Sequence, residues 1–140
     1  MGRGLRVAGQ VLLGLFLLLA GTAHLTVART TFRAQVPPWL PLDPDLVVVG
    51  SGLVELALGV ALLALWRPRP RVVVGVVVAA FFVAVLPGNV SQLVTHTDAF
   101  GLDSDASRAV RLLFQPLLVV WALWCTRAWS AWRTRRLSRR

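Results

Sequence analysis

The sequence predicts an all-α integral membrane protein, a bundle of four transmembrane helices with both termini in the cytoplasm. Three observations carry this expectation. The composition is 56% hydrophobic and only 15% charged, too little polar surface to solvate the exterior of a water-soluble domain. The apolar residues fall into four long blocks, each near the ~20 residues that cross a bilayer core as a helix. The basic residues, all arginine, gather at the ends of those blocks.

The spans are expected over about 7–28, 46–66, 72–94 and 109–129, within a single transmembrane domain of residues 1–140 that ends in a basic tail, 130–140. For the first block a signal peptide is the rival reading, since Arg3 and Arg6 lead it and Gly21-Thr22-Ala23 resembles a cleavage site. The apolar run continues past His24 through Val27 and Ala28, which favours a helix. The second span ends at Arg67-Pro68-Arg69-Pro70-Arg71; proline lacks an amide donor and is stiff in φ, so this basic run should act as a stop and a short hairpin. The third is valine-rich, but its length and setting favour a helix over a strand. The fourth closes among Trp121, Trp124, Trp129 and Trp132, a residue type that prefers the headgroup boundary.

Orientation follows from the arginines. With the N-terminus inside, eleven lie on cytoplasmic segments and four (Arg29, Arg33, Arg108, Arg111) on the other side, which predicts N-in and C-in. The formal charge of +9 would suggest nucleic acid in a soluble protein; placed on span flanks it reads as a topology signal instead. The tail arginines Arg133, Arg135, Arg136, Arg139 and Arg140 are expected to meet anionic lipid headgroups. The single cysteine, Cys125, excludes an intramolecular disulfide, a CxxC redox pair and a thiolate cluster. Between the first two spans, Val36-Pro37-Pro38-Trp39-Leu40-Pro41 is apolar yet unable to form a regular helix through its prolines. It is expected to lie at the interface, anchored by Trp39 and folded against the helix ends.

Five polar residues stand out within or at the ends of the spans: His24, Glu55, Asn89, Arg111 and Gln115. Each is costly in hydrocarbon, and the topology brings all five to the outer half of the bundle. Ser51, Glu55 and Gly59 recur at i, i+4 and i+8, which sets a carboxylate on a small-residue stripe suited to close helix packing. Gly21 and His24 make a similar stripe, and Arg111 and Gln115 share a face. Pro87 should leave the Val83 carbonyl without its usual donor, and Gly88 should let a backbone or ligand come close. Two readings follow. In one, Glu55 is salt-bridged to Arg111 and the other polar groups complete a structural network. In the other, a cavity lined by His24, Glu55, Asn89 and Gln115, and roofed by Pro37–Pro41 with Trp39 over the opening, holds a polar ligand head. Glu55 and His24 are also the candidate acid and base. No metal site is expected: there are two histidines, His24 and His96, without ligand spacing.

The string Gly21-x-x-His24, then Val36-Pro37-Pro38-Trp39-Leu40-Pro41, then Ser51-Gly52-x-x-Glu55-x-x-x-Gly59, resembles the DoxX-like membrane proteins. Leu86-Pro87-Gly88-Asn89 and Arg111-Leu112-Leu113-Phe114-Gln115 with Trp121 fit the same pattern, so the similarity runs from about Leu12 to Trp124. The chain departs from the pattern at Gly88, where alanine is frequent, and in the long outer loop after Gln92. The resemblance implies a multi-pass protein of the bacterial plasma (inner) membrane, some relatives being subunits of oxidoreductases that pass electrons to quinone. No haem pair, cysteine cluster or dinucleotide fingerprint appears here, so no cofactor is evident and any redox role would come through quinone or a partner subunit. The favoured expectation is a binding or accessory subunit whose ligand set is His24, Trp39, Glu55, Asn89, Arg111 and Gln115. The alternatives are a membrane-embedded acid/base enzyme and a structural or assembly protein with no ligand site.

Overall fold

The structure, a computed structural model, describes residues 2–99, 101 and 104–137, with side chains described through Arg133. The headgroup-binding positions expected at Arg135, Arg136, Arg139 and Arg140 therefore lie outside the described side chains. Seven helices follow in order: α1 (Gly2–Leu25), α2 (Arg29–Arg33), α3 (Pro44–Ala64), α4 (Pro68–Ala84), α5 (Leu86–Val94), α6 (Asp105–Cys125) and α7 (Ala128–Leu137). No strand occurs among the described residues. Four segments are long and apolar enough to cross a membrane: α1, α3, α4 with α5, and α6. Their lipid-facing surfaces are apolar, with Leu19 73%, Val73 60% and Leu113 68% exposed. Water would not tolerate such continuous exposure, but a bilayer does.

Four spans place both termini at one end of the bundle, the terminal end. The 26–43 and 95–104 connections occupy the other, the loop end. Each span begins earlier than its apolar run suggests, and in α3 and α6 capping side chains start the helix. Asp43 caps α3, its carboxylate accepting from the amides of Asp45 (2.8 Å) and Leu46 (3.1 Å), with Pro44 in the first turn. Ser104 and Ser107 form a reciprocal capping box on α6. The Arg67–Arg71 run is also mostly helix rather than hairpin. Pro68 opens α4, where a missing amide donor costs nothing. The tail is helical from Ala128, which is buried where α7 returns against α4 and α6.

The bundle is built from two tight pairs, α1 on α3 and α4 on α6. Glycines set the first. A Cβ on Gly21 would stand 2.7 Å from the Gly52 carbonyl oxygen, and one on Gly59 would stand 2.9 Å from the Gly14 carbonyl oxygen. Two glycine pairs, seven residues apart on each antiparallel helix, thus bring the backbones into contact. The stripe of small residues on α3 is a packing face, as its spacing suggests, but Gly52 and Gly59 carry it. In the second pair Gly75 receives Thr126, whose Oγ1 would lie 1.8 Å from a Cβ there.

The apolar core, including Leu13, Leu17, Leu58, Leu62, Val78 and Phe82, fills the half nearer the terminal end. Two polar bonds cross it. Gln10, fully buried, donates to the Leu62 carbonyl (2.7 Å), and Trp121 Nε1 donates to the Gly9 carbonyl (3.0 Å). They join α1 to α3 and to α6 at a depth where an unpaired donor is expensive. In the loop-end half the two helix pairs separate.

Candidate functional site

The separation leaves a cavity of about 670 Å3, within the ~300–1,000 Å3 range of small-molecule sites. Its lining includes all six residues that the sequence nominates: His24, Trp39, Glu55, Asn89, Arg111 and Gln115. They fall into two groups on different walls.

On the α1/α3 wall, Glu55 and His24 are both buried, at 8% and 9% exposure. Glu55 Oε2 stands 2.8 Å from His24 Nδ1, while the same nitrogen is 2.9 Å from the Ala20 carbonyl oxygen. Both neighbours are acceptors, so Nδ1 carries the hydrogen. Its hydrogen bond goes to Ala20. The contact with Oε2 lacks hydrogen-bond geometry, and Oε2 remains a buried acceptor with no hydrogen-bond partner. The imidazole is held from its other side by Phe32, stacked at 3.3 Å between centroids and 17° between planes. Ser51, one turn before Glu55, also reaches the cavity; its hydroxyl is bonded back to the Val48 carbonyl (3.0 Å).

On the α4–α5/α6 wall the polar groups satisfy one another. Asn89 Nδ2 donates to Gln115 Oε1 (2.9 Å), and Gln115 Nε2 donates to the Phe82 carbonyl (2.6 Å). That carbonyl lies just before the interruption at Val85 that separates α4 from α5. The span expected as one helix over 72–94 is thus divided near Pro87, and Gln115 bonds to the Phe82 carbonyl, one residue before the Val83 carbonyl singled out by helix spacing. Arg111 Nη2 donates to Gln35 Oε1 (3.1 Å), and its Nη1 donates to Gln92 Oε1 (3.2 Å). Gln35 Nε2 completes the triangle on Gln92 Oε1 (3.0 Å). The salt bridge expected between Glu55 and Arg111 is thus replaced: Glu55 lies against His24, and Arg111 binds two carboxamides. A guanidinium bonded to two amide oxygens holds a loop in place without drawing the carboxylate across the gap.

Gln35 and Gln92, buried at 7% and 1% exposure, were missed by sequence reasoning. Gln92 follows Asn89 at i+3, a spacing that could have marked it. Gln35 sits in a connection without periodicity, and nothing in the sequence points to it. Through Gln35 the 26–43 connection is tied to α5 and α6, and Val36, Pro37, Trp39 and Leu40 close over the cavity. The short helix α2 precedes this segment. Trp39 stands at the rim, 66% exposed. Gly88 also lines the cavity, but a Cβ there would meet only the Gln35 carbonyl oxygen at 3.5 Å. That is ordinary contact, so no close approach requires glycine.

The rest of the loop end is braced by charge. Arg29 pairs with Asp45, and this hydrogen bond holds the Arg29 guanidinium above its ordinary pKa. Arg108, only 5% exposed, binds Asp98 and Asp105 and donates through Nε to the Thr97 carbonyl (3.3 Å). The cavity is therefore enclosed by a fixed rim, with a carboxylate and an imidazole on one wall, a guanidinium and two carboxamides on the other, and Phe82, Phe114, Leu118 and Trp121 between.

No curated protein and no solved structure matches the chain significantly. Residues 13–126, most of the chain and every cavity residue named above, match one family, and the protein belongs to that family, described as Domain of unknown function (DUF8561).

Proposed function

We propose that this protein is a binding or accessory subunit of the bacterial plasma membrane that holds a quinone-like or lipid-like molecule in its loop-end cavity. The observation that carries the reading is the cavity's divided polarity. Glu55 Oε2 is a buried acceptor lacking a donor, and Arg111 is a donor on the other wall. A head bearing both a hydroxyl and a carbonyl suits this arrangement: the hydroxyl donates to Glu55, the carbonyl accepts from Arg111, and a flat ring packs on the aromatic lining. The resemblance to DoxX-like proteins supports the same ligand class and an association with membrane oxidoreductase subunits. In the alternative acid/base reading of Glu55 and His24, His24 Nε2 would be the base, since the Nδ1 hydrogen is engaged by Ala20.

A short-chain benzoquinone added to the purified protein should quench tryptophan fluorescence saturably. Glu55→Gln keeps the shape but weakens a charge-assisted bond to a neutral one, and should raise the dissociation constant about tenfold. Equal affinity in the two proteins would remove the carboxylate from the site.

The arginine distribution supports an N-in, C-in orientation with the cavity toward the outer face, and anionic headgroups around the Arg133–Arg140 tail. Cysteines introduced at Ser104 and Arg69, at opposite ends of the bundle, should be labelled from opposite sides of intact cells, Ser104 from outside. Native Cys125 is fully buried and should contribute little. Labelling of Arg69→Cys alone from outside would invert the orientation.

A further inference from the structure

We propose that the terminal end of the bundle carries a separate site for the headgroup phosphate of an anionic membrane lipid, held by Arg6 of α1 and Arg71 of α4, two helices that each pack on α6. The six carboxylates of the sequence are Asp43, Asp45, Glu55, Asp98, Asp103 and Asp105. The five that the structure describes, all but Asp103, belong to the loop end or its cavity. The terminal end holds Arg3, Arg6, Arg67, Arg69, Arg71 and Arg127 besides the tail, and no acidic side chain. No carboxylate among the described side chains balances these cations.

The arginines are also gathered. Arg71 interacts electrostatically with Arg127, Arg6 and Arg3, three like charges from α1 and the α6–α7 turn. Arg71 is fixed within this group. Its Nη2 donates to the Cys125 carbonyl (2.6 Å), and its guanidinium lies 5.7 Å from the Trp66 ring centroid. What remains unsatisfied is specific: the Nε atoms of both Arg6 and Arg71 are buried and lack a hydrogen-bond partner. A buried donor without an acceptor is destabilising, and two such donors on converging cations are doubly so. A phosphate oxygen would supply charge and acceptors together, in the geometry for which guanidinium is suited.

Location selects the source. The junction lies where three spans end, beside Trp66, Trp124 and Trp129, each 38–51% exposed. That is the depth of the headgroups, and interhelical basic pockets at that depth suit anionic lipid. The tail is a different surface, reached from outside the helices, and the inference is independent of the cavity at the other end.

Native mass spectrometry of the full chain, purified in detergent with phosphatidylglycerol or phosphatidylcholine, tests it. The wild type should retain phosphatidylglycerol in preference to phosphatidylcholine. Arg6→Gln, which breaks no hydrogen bond of the fold, should reduce that retention several-fold, and the Arg6→Gln/Arg71→Gln pair about tenfold or more. Arg133→Gln/Arg135→Gln/Arg136→Gln removes one more charge than the pair yet should change retention less than about twofold. Equal retention of the two lipids, or an equal loss in the tail variant, would overturn the site in favour of diffuse charge. Displacement of the lipid by millimolar inorganic phosphate would overturn the lipid source and leave a free-anion site.

Discussion

Exchanging Gly52 for valine should abolish the folded protein, while the same exchange at Gly50, two residues earlier in α3, should leave it intact. A Cβ at Gly52 would lie 2.8 Å from His24 Cβ and 3.2 Å from the Gly21 carbonyl oxygen; one at Gly50 would meet nothing within 4 Å. Both substitutions add the same apolar bulk to the same helix, so propensity and insertion cancel in the comparison. What differs is whether α1 can remain against α3. Overpacking typically costs about 1–3 kcal/mol where side chains can give way. Here one of the opposing atoms is backbone, and the second glycine pair at Gly14 and Gly59 prevents a simple slide. Loss of monodisperse protein on size exclusion should be near complete for Gly52→Val and Gly21→Val, and absent for Gly50→Val. Because His24 Cβ is the first atom met, a milder Gly52→Ala variant should also disturb the His24–Glu55 contact and weaken benzoquinone binding. Equal yields from Gly50→Val and Gly52→Val would mean that the helices are not held at this distance.

That contrast also shows where the sequence is legible and where it stops. The spans can be read because a bilayer demands long apolar runs, and the chain has four. Their ends are less legible, since capping by Asp43 and Ser104 extends helices into segments that look polar, and since Pro68 is as suited to a first turn as to a loop. The cavity residues can be read for a related reason: hydrocarbon penalises His24, Glu55, Asn89, Arg111 and Gln115 individually, so their common depth is conspicuous. Partner choice is not encoded in depth. Glu55 and Arg111 are the strongest opposite charges in the set, and charge alone pairs them. The structure instead joins Glu55 to His24 across the glycine contact, which brings α1 nearer to α3 than α6 comes. Arg111 turns to amides that no periodicity marks. Gln35 reaches it from an irregular connection, and this contact closes the cavity.

Replacing Arg111 with methionine should therefore loosen the roof and lower stability more than any other single change in the cavity. The substitution keeps much of the apolar stem but removes the donors to Gln35 Oε1 and Gln92 Oε1. Gln92 Oε1 retains the Gln35 amide, but Gln35 Oε1, on a residue 7% exposed, loses its donor. Two charge-assisted bonds and one buried acceptor left without a partner amount to about 3 kcal/mol. The loss should be local in its first effect. Backbone amides of the connection from Gln35 to Leu42 should exchange hydrogen faster, whereas the glycine-paired cores of α1 and α3 should not change until the whole bundle melts. Arg33→Met is the matched control. Arg33 belongs to the same connection, but it is exposed and lies 3.9 Å from Asp45, a separation at which a surface pair contributes little. It should leave both exchange and melting unaltered. The two variants remove the same charge from the same end of the bundle, so a difference between them reports the buried carboxamide contacts alone. If Arg111→Met left exchange at Gln35–Leu42 unaltered, the roof would be held by its prolines rather than by this triangle. Benzoquinone binding would then depend on Glu55 without depending on the loop above it.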